Sequence, residues 1–161
     1  RRDESIVSKA MMAQILTMGL WLTVVSFVYL KNSFIAGLFG GWALDSAGNV
    51  MNGVPNAQHL TGYFVLFIVS ALCNGFNVRD DGVAIFKGLD QNKGFLKVFF
   101  LIILVQFVIV NAALIPVPVF TWIGNMFSCT PFGIAGWAVV VILSITMIPV
   151  DMIRKMVVNK K

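Results

Sequence analysis

The stretch that decides the fold is residues 98–150, VFFLIILVQFVIVNAALIPVPVFTWIGNMFSCTPFGIAGWAVVVILSITMIPV. It contains no Asp, Glu, Lys or Arg, and it is far longer than the roughly 20 residues that one helix needs to cross a bilayer. Its middle carries helix breakers, namely Pro116, Pro118, Pro131 and Gly133. The stretch therefore predicts two membrane-spanning helices, over about 98–114 and 134–150, joined by an outer loop over 115–133.

Two further apolar stretches precede it, over 11–30 and 60–76. Between them, 33–44 is apolar but too short to cross, so it either extends the first helix or lies along the membrane interface. Residues 45–58 are rich in Gly, Asn and Pro, which is typical of a loop. Only 12% of the residues are charged, against about a quarter in soluble domains. The sequence predicts an all-α fold, a four-helix transmembrane bundle that forms one integral membrane domain over 1–161.

The basic residues indicate how the bundle is oriented. Of the 12 Lys and Arg residues, only Lys31 lies on the side of the outer loops 31–59 and 115–133. Because basic loops stay in the cytoplasm, we expect both termini and the loop 77–97 to be cytoplasmic. The basic residues form no stripe with interleaved aromatic residues, so we expect the lipid bilayer and no nucleic acid as a partner.

Polar residues at membrane depth are the candidate functional residues. Asn74 and Asn77 lie at the inner end of the second span, and Gln106 and Asn111 lie inside the third. We favour hydrogen bonds between helices over ion coordination for these amides, because no Asp or Glu falls within the four predicted spans. His59 has no acidic or Cys neighbour, which is typical of an interfacial polar residue. We predict no catalytic residue, no cofactor-binding residue and no metal ligand in this chain.

Several short motifs follow one another along the chain: Arg2-Asp-Glu-Ser-Ile-Val-Ser8, Cys73-Asn-Gly-Phe-Asn77, Ile85-Phe-Lys-Gly88, Gln106-Phe-Val-Ile-Val110 and Phe127-Ser-Cys-Thr130. In this order and spacing they resemble the C-terminal membrane domain of P-type calcium-transporting ATPases, from the entry into the seventh helix to the start of the tenth. The second motif is similar to the signature that closes the eighth helix. The last motif resembles the plasma-membrane calcium pumps in particular.

This resemblance implies a supporting role. The pumps hydrolyse Mg²⁺-ATP through an Asp-Lys-Thr-Gly-Thr motif that is absent here, so the parent protein would transport Ca²⁺ while this segment has no activity of its own. The segment would brace the preceding ion-carrying helices, and its loop 77–97 would contact the phosphorylation domain of the same polypeptide. Reticulum-type pumps carry a Glu ligand where this chain has Ala71. The resemblance therefore implies the plasma-membrane type, in a plasma or bacterial inner membrane.

Two alternatives remain open from the residues. The chain could be a stand-alone tetraspan membrane scaffold, or it could be a small transporter subunit. Its first residue is Arg1 rather than Met, so we expect a processed product or a piece of a longer chain. An excised bundle would expose apolar surface and could self-associate through it.

Overall fold

We describe the protein from a computed structural model, which covers residues 9–79 and 91–158. Within these residues the elements follow in the order α1 (Lys9–Lys31), α2 (Ser33–Leu38), β1 (Trp42–Leu44), β2 (Val50–Pro55), α3 (Ala57–Arg79), α4 (Lys93–Asn111), a 3₁₀ turn (Ala112–Leu114), α5 (Pro118–Phe127), α6 (Ile134–Ile145) and α7 (Met147–Val158).

Four helical segments are long and apolar enough to cross a membrane, namely Met11–Lys31, Ala57–Arg79, Lys93–Leu114 and Ile134–Val158. The fourth consists of α6 and α7 together, with a break at Thr146. The break has a local cause, because Pro149 has no backbone N–H to donate to the carbonyl of Ile145. The expected all-α fold with four membrane spans is confirmed.

The central helix of the bundle is α3. Half of its span is buried, and it contacts α1, α4, α6 and α7. Its core residues Val65 and Leu66 have no exposed surface. Ala13 near the start of α1 and Val157 near the end of α7 line one groove, so both ends of the described chain lie at one end of the bundle. We call this end the basic end and the opposite one the cap end.

The segment 33–44 does not extend the first helix, and its expected place along the membrane interface stays a prediction. The first helix ends at Lys31, and the side chain of Asn32 caps a new helix by accepting hydrogen bonds from the backbone of Phe34 and Ile35. This short α2 returns the chain to the bundle, where Phe39 is buried. Gly40 and Gly41 then turn the chain with φ angles of 86° and 92°, which glycine adopts without a steric penalty.

The region expected as the loop 45–58 contains a β-hairpin and the start of α3. Strands β1 and β2 pair antiparallel, which adds a small sheet to the helical fold. The turn between them is organised by Asp45, whose carboxylate accepts hydrogen bonds from the backbone N–H groups of Ala47 and Asn49 at 2.9 and 2.8 Å. The side chain of Asn49 donates a third, at 3.1 Å. The turn is therefore stabilised by an ionised carboxylate.

We expect this hairpin to loosen in acid. The hydrogen bonds from the side chain and then the backbone of Asn49 hold the pKa of Asp45 below its ordinary value of 3.8. Their contribution to stability is therefore present above pH 3.8 and is lost as the pH falls through the lowered pKa of the folded state. An NMR titration should show the Asn49 amide moving with the Asp45 carboxyl, with a midpoint below 3.8. Asp45→Asn should abolish this transition, and a midpoint at or above 3.8 would contradict the assignment.

The other two expected loops are also shorter than the sequence indicated. Residues 115–133 contain the helix α5, which begins with Pro118, a residue suited to a first helical turn, and ends at Ser128 with a φ of 51°. In the loop 77–97, Asn77–Arg79 continue α3 and Lys93–Lys97 open α4. Residues 80–90 of that loop lie outside the described residues.

Candidate functional site

Asn77 joins three helices at the basic end. Its side chain is buried, and its Nδ2 donates to the backbone carbonyl of Met147 on α7 at 2.9 Å. The same Nδ2 lies 3.6 Å from the sulfur of Met18 on α1 and 3.3 Å from Oδ1 of Asn74, one turn earlier on α3. An amide donor in an apolar interior needs such partners, because an unsatisfied donor costs about 1–3 kcal/mol. Asn77 therefore links α3 to α7 just past the break in the fourth span.

A buried ion pair lies beside Asn77. Asp151 is fully buried and Lys155 is 3% exposed, and the Nζ of Lys155 lies 3.0 Å from Oδ2 of Asp151. The same Nζ donates to the backbone carbonyl of Asn77 at 2.8 Å. Arg154 donates from Nε to Oδ1 of Asp151 at 2.7 Å. One carboxylate on α7 thus meets two cations of its own helix, and one of these cations also binds α3.

This ion pair corrects the expectation that no acidic residue lies within a span. The sequence suggested that the fourth span ends at residue 150, whereas α7 continues past Pro149 to Val158. Pro149 lies in the first turn of α7, where its missing N–H is tolerated. The signal that could have identified the pair is the spacing of Asp151, Arg154 and Lys155, three and four residues apart on one helical face.

Two buried serines join α3 to α6 in the middle of the bundle. Oγ of Ser70 lies 3.3 Å from Oγ of Ser144, and neither residue is exposed. Oγ of Ser144 also lies 2.8 Å from the carbonyl oxygen of Val140, one turn earlier on its own helix. These hydroxyls satisfy each other and the backbone, so this contact is a link between helices with no group left over for a ligand.

His59 is the polar centre of the cap end, and its expected place at the membrane interface stays a prediction. It is fully buried, and its Nε2 lies 2.9 Å from the backbone carbonyl oxygen of Tyr29. The hydroxyl of Tyr29 donates in return to the carbonyl of His59 at 3.2 Å. The ring of Phe39 stacks on the imidazole, with centroids 5.3 Å apart and an interplanar angle of 14°. This reciprocal pair fastens the end of α1 to the start of α3.

The remaining amides are placed differently. Asn111 donates to the carbonyl of Phe107 on its own helix at 2.9 Å, so it forms no hydrogen bond between helices in the described part of the chain. Gln106 is 4% exposed, and its Nε2 has no hydrogen-bond partner among the described residues. Both amides line a cavity between α4 and α6. The structure therefore brings Asn74 and Asn77 together at the basic end and separates them from Gln106 and Asn111.

Ala71 faces a groove between α1 and α3. The groove has a volume of about 500 Å³ and is lined mainly by apolar residues, with Gln14 and Asn74 as its polar members. Nε2 of Gln14 is buried and has no hydrogen-bond partner within residues 9–79 and 91–158. A methyl group at position 71 offers no oxygen to a cation.

No set of three or more His, Cys, Asp or Glu side chains comes together among the described residues in a way that could hold a metal ion. Cys73 and Cys129 are free thiols, and burial raises the pKa of Cys129, which lies outside the spans. The buried polar groups instead connect helices, at Asn77 with Lys155, at the two serines and at His59. This arrangement can fix the positions of the first, second and fourth spans relative to one another.

A multi-pass helical membrane domain, held together by buried polar links, is the class of protein that this fold defines. A model of the family described as cation transporting ATPase, C-terminus, matches residues 1–157. The chain therefore belongs to this family, as the C-terminal membrane domain of a cation-transporting ATPase. Comparisons with curated proteins and with solved structures gave no match.

Proposed function

We propose that this domain braces the ion-carrying helices of a calcium pump and has no transport or hydrolytic activity of its own. The observation that carries the proposal is the groove between α1 and α3. It lies along the bundle surface, it is wide enough to accept side chains of another helix, and two of its lining residues, Gln14 and Asn74, can hydrogen-bond a helix placed there. The preceding helices of the same polypeptide are its proposed occupant.

The exposure of α1 supports this placement. Only a small part of its span is buried in the bundle, and Ile15, Leu16 and Leu20 are more than half exposed. The exposed surface of such a span is covered by lipid or by other helices. Because α1 is the first span of the chain, helices that precede it in the polypeptide are well placed to cover it.

Calcium is the proposed cargo, and the plasma-membrane type is the proposed class. Support for the plasma-membrane type comes from Ala71, which lines this groove. Reticulum-type pumps carry a Glu ligand at the corresponding position. With a methyl group there, this domain contributes no carboxylate to an ion in the groove. The ions, and the Mg²⁺-ATP that drives their transport, would be bound by other parts of the polypeptide.

The basic end is proposed to face the cytoplasm of a plasma or bacterial inner membrane. It includes the ends of the loop 77–97, and the distribution of Lys and Arg supports a cytoplasmic position of that loop. The loop would then contact the phosphorylation domain. This contact would transmit movements of that domain to α3, the helix on which the other spans pack.

The groove is tested by filling it. In the full-length pump, we expect Ala71→Trp to reduce ATP-driven ⁴⁵Ca²⁺ uptake into vesicles by tenfold or more, because a displacement of about 1 Å at a catalytic or transport site can cost 100-fold in rate. The control is Ala138→Trp, which adds the same bulk at an exposed position of α6. Equal uptake by the two variants, at equal amounts in the membrane, would refute the bracing role. Uptake of Na⁺, K⁺ or Mn²⁺ in place of Ca²⁺ would refute the cargo alone.

A further inference from the structure

The helix α5, in the segment 115–133 that the sequence indicated as an outer loop, runs along the cap end of the bundle. It begins at Pro118, four residues after Leu114, the last residue of the third span. Just past its end, the backbone N–H of Thr130 donates to Oγ1 of Thr61 at 3.0 Å. Thr61 lies in the second turn of α3, so both ends of α5 are held beside the cap ends of spans.

The depth of α5 follows from its neighbours. Gly124 is buried against the 3₁₀ turn that ends the third span, and a Cβ there would lie 3.2 Å from the backbone N of Ala113. Phe127 shares a surface groove with Phe64, which lies about 10 Å into α3 from its first residue. Since α3 is about 34 Å long and a hydrocarbon core is about 30 Å thick, α5 lies beside the ends of the spans, where headgroups meet hydrocarbon, and not above them.

The side of α5 that faces away from the bundle is apolar. Successive helical residues are about 100° apart, which places Val119, Trp122 and Met126 in one stripe, on average about 165° from Gly124. These three side chains are 62%, 64% and 63% exposed. The packing of the described residues therefore leaves a continuous apolar stripe uncovered, on the side opposite to the contact with the third span.

A polar stripe lies at one edge of this apolar side. Thr121 and Asn125, one turn apart, are exposed and point about 80° to one side of Gly124 and about 110° from the apolar stripe. Helices that lie in a membrane interface have this division into an apolar face toward hydrocarbon and a polar face toward water. No residue from 98 to 150 is charged, so α5 offers no ion pair to a second protein.

Lipid is the occupant that these observations favour. The third span is 17% buried within the described residues, so the surface from which α5 follows is one that the bilayer covers. Trp122 is the middle residue of the apolar stripe, and tryptophan is enriched at this depth because its ring is apolar and its N–H is polar. The stripe thus continues a surface that already contacts lipid.

We propose that α5 is an interfacial helix that binds the leaflet at the cap end, with Val119, Trp122 and Met126 in contact with acyl chains near the headgroups and with Thr121 and Asn125 in water. It attaches the connection between the third and fourth spans to the membrane surface. Because α5 carries no charge, this binding is apolar and does not require anionic lipids. The proposal rests on the four spans alone, and it holds whether or not the domain braces a calcium pump.

The test is the accessibility of single cysteines along α5, in the full-length protein in phosphatidylcholine nanodiscs. With Cys129→Ser as the background, Trp122→Cys and Met126→Cys are compared with the matched controls Thr121→Cys and Asn125→Cys. A membrane-impermeant maleimide should label the two polar positions roughly tenfold or more faster, because the thiolate that reacts forms in water and not in hydrocarbon. In the unsubstituted protein, a diazirine dissolved in the lipid should give the opposite order by peptide mapping.

A second measurement keeps the test decisive if the cysteine variants do not fold. Acyl chains that carry bromine quench tryptophan on contact, so the emission that Trp122→Phe removes should be quenched in brominated phosphatidylcholine. Equal maleimide labelling of the two stripes would overturn the proposal, because the apolar stripe would then lie in water. Protection of positions 122 and 126 from both reagents would also overturn it, since a protein surface would then cover α5. Unquenched emission from Trp122 would have the same consequence.

Discussion

Replacing Lys155 with Met is expected to lower the free energy of unfolding by about 3 kcal/mol, because it leaves a fully buried carboxylate with half of its positive partners. Removing one member of a buried ion pair typically costs about 3–5 kcal/mol, and we expect the lower value here because Arg154 still donates to Oδ1 of Asp151. The substitution also removes the hydrogen bond to the carbonyl of Asn77, so α7 should separate from α3 more readily.

The triple variant Asp151→Leu with Arg154→Met and Lys155→Met provides the sharper comparison. It removes the carboxylate and both of its cations together, so it should recover most of the lost stability, since apolar residues of similar volume can replace a buried ion pair or triad. The measurement is reversible unfolding by SDS in mixed micelles. Lys93→Met, at an exposed position of α4, is the control and should change stability by less than about 0.5 kcal/mol. A Lys155→Met protein as stable as this control would show that the pair is solvated and not buried.

Replacing Phe39 with Ala is expected to cost about 3–5 kcal/mol, the usual range for a buried phenylalanine. The side chain is 1% exposed and meets the rings of Tyr29, His59 and Phe132 at centroid distances of 5.6, 5.3 and 5.1 Å. The space for it is provided by glycines. A Cβ at Gly62 would lie 2.5 Å from the ring of Phe39, so either the ring or the helix would have to shift.

The same experiment has a control in α2, the short helix that Phe39 follows. Phe34 is 74% exposed, so Phe34→Ala removes a ring of equal size that few groups contact. It should change the free energy of unfolding by less than about 1 kcal/mol. Phe39→Ala should also raise hydrogen exchange at the start of α3, because His59 loses the ring that stacks on it. Equal losses for the two variants would refute the anchoring role of Phe39.

The cap end shows what periodicity alone could not predict. The sequence contains an apolar stretch from Ser33 to Leu44, and both expected readings treated it as a continuous segment. The structure divides it, because the side chain of Asn32 starts a new helix and two glycines with positive φ end it. Whether Phe39 points into the bundle depends on Gly62 and on α6, which are far away in the chain. Local sequence carries no information about that contact.

The site residues also separate into features that the sequence identifies and features that only the structure shows. The amides at membrane depth could be picked out because polar side chains are rare in apolar spans. The sequence could not show which of these amides connect helices. Asn77 donates a hydrogen bond to a carbonyl just past the break at Thr146, whereas Asn111 donates to a carbonyl of its own helix. The uncharged stretch ends at residue 150, which predicts that the fourth span ends before Asp151. The helix continues because Arg154 and Lys155 neutralise Asp151 one turn later.

The uncharged stretch 98–150 by itself determined that this chain spans a membrane and that two of its four helices lie there. The reason is physical: a backbone in hydrocarbon must satisfy its own hydrogen bonds, as a helix does, and a long uncharged stretch is by composition alone the mark of such helices. Only the tertiary structure decided what holds the spans together and what they leave open. The link of Lys155 with Asn77 depends on which helix faces come together, and so does the lack of a partner for Nε2 of Gln106 among the described residues. Both are set by packing across the whole bundle.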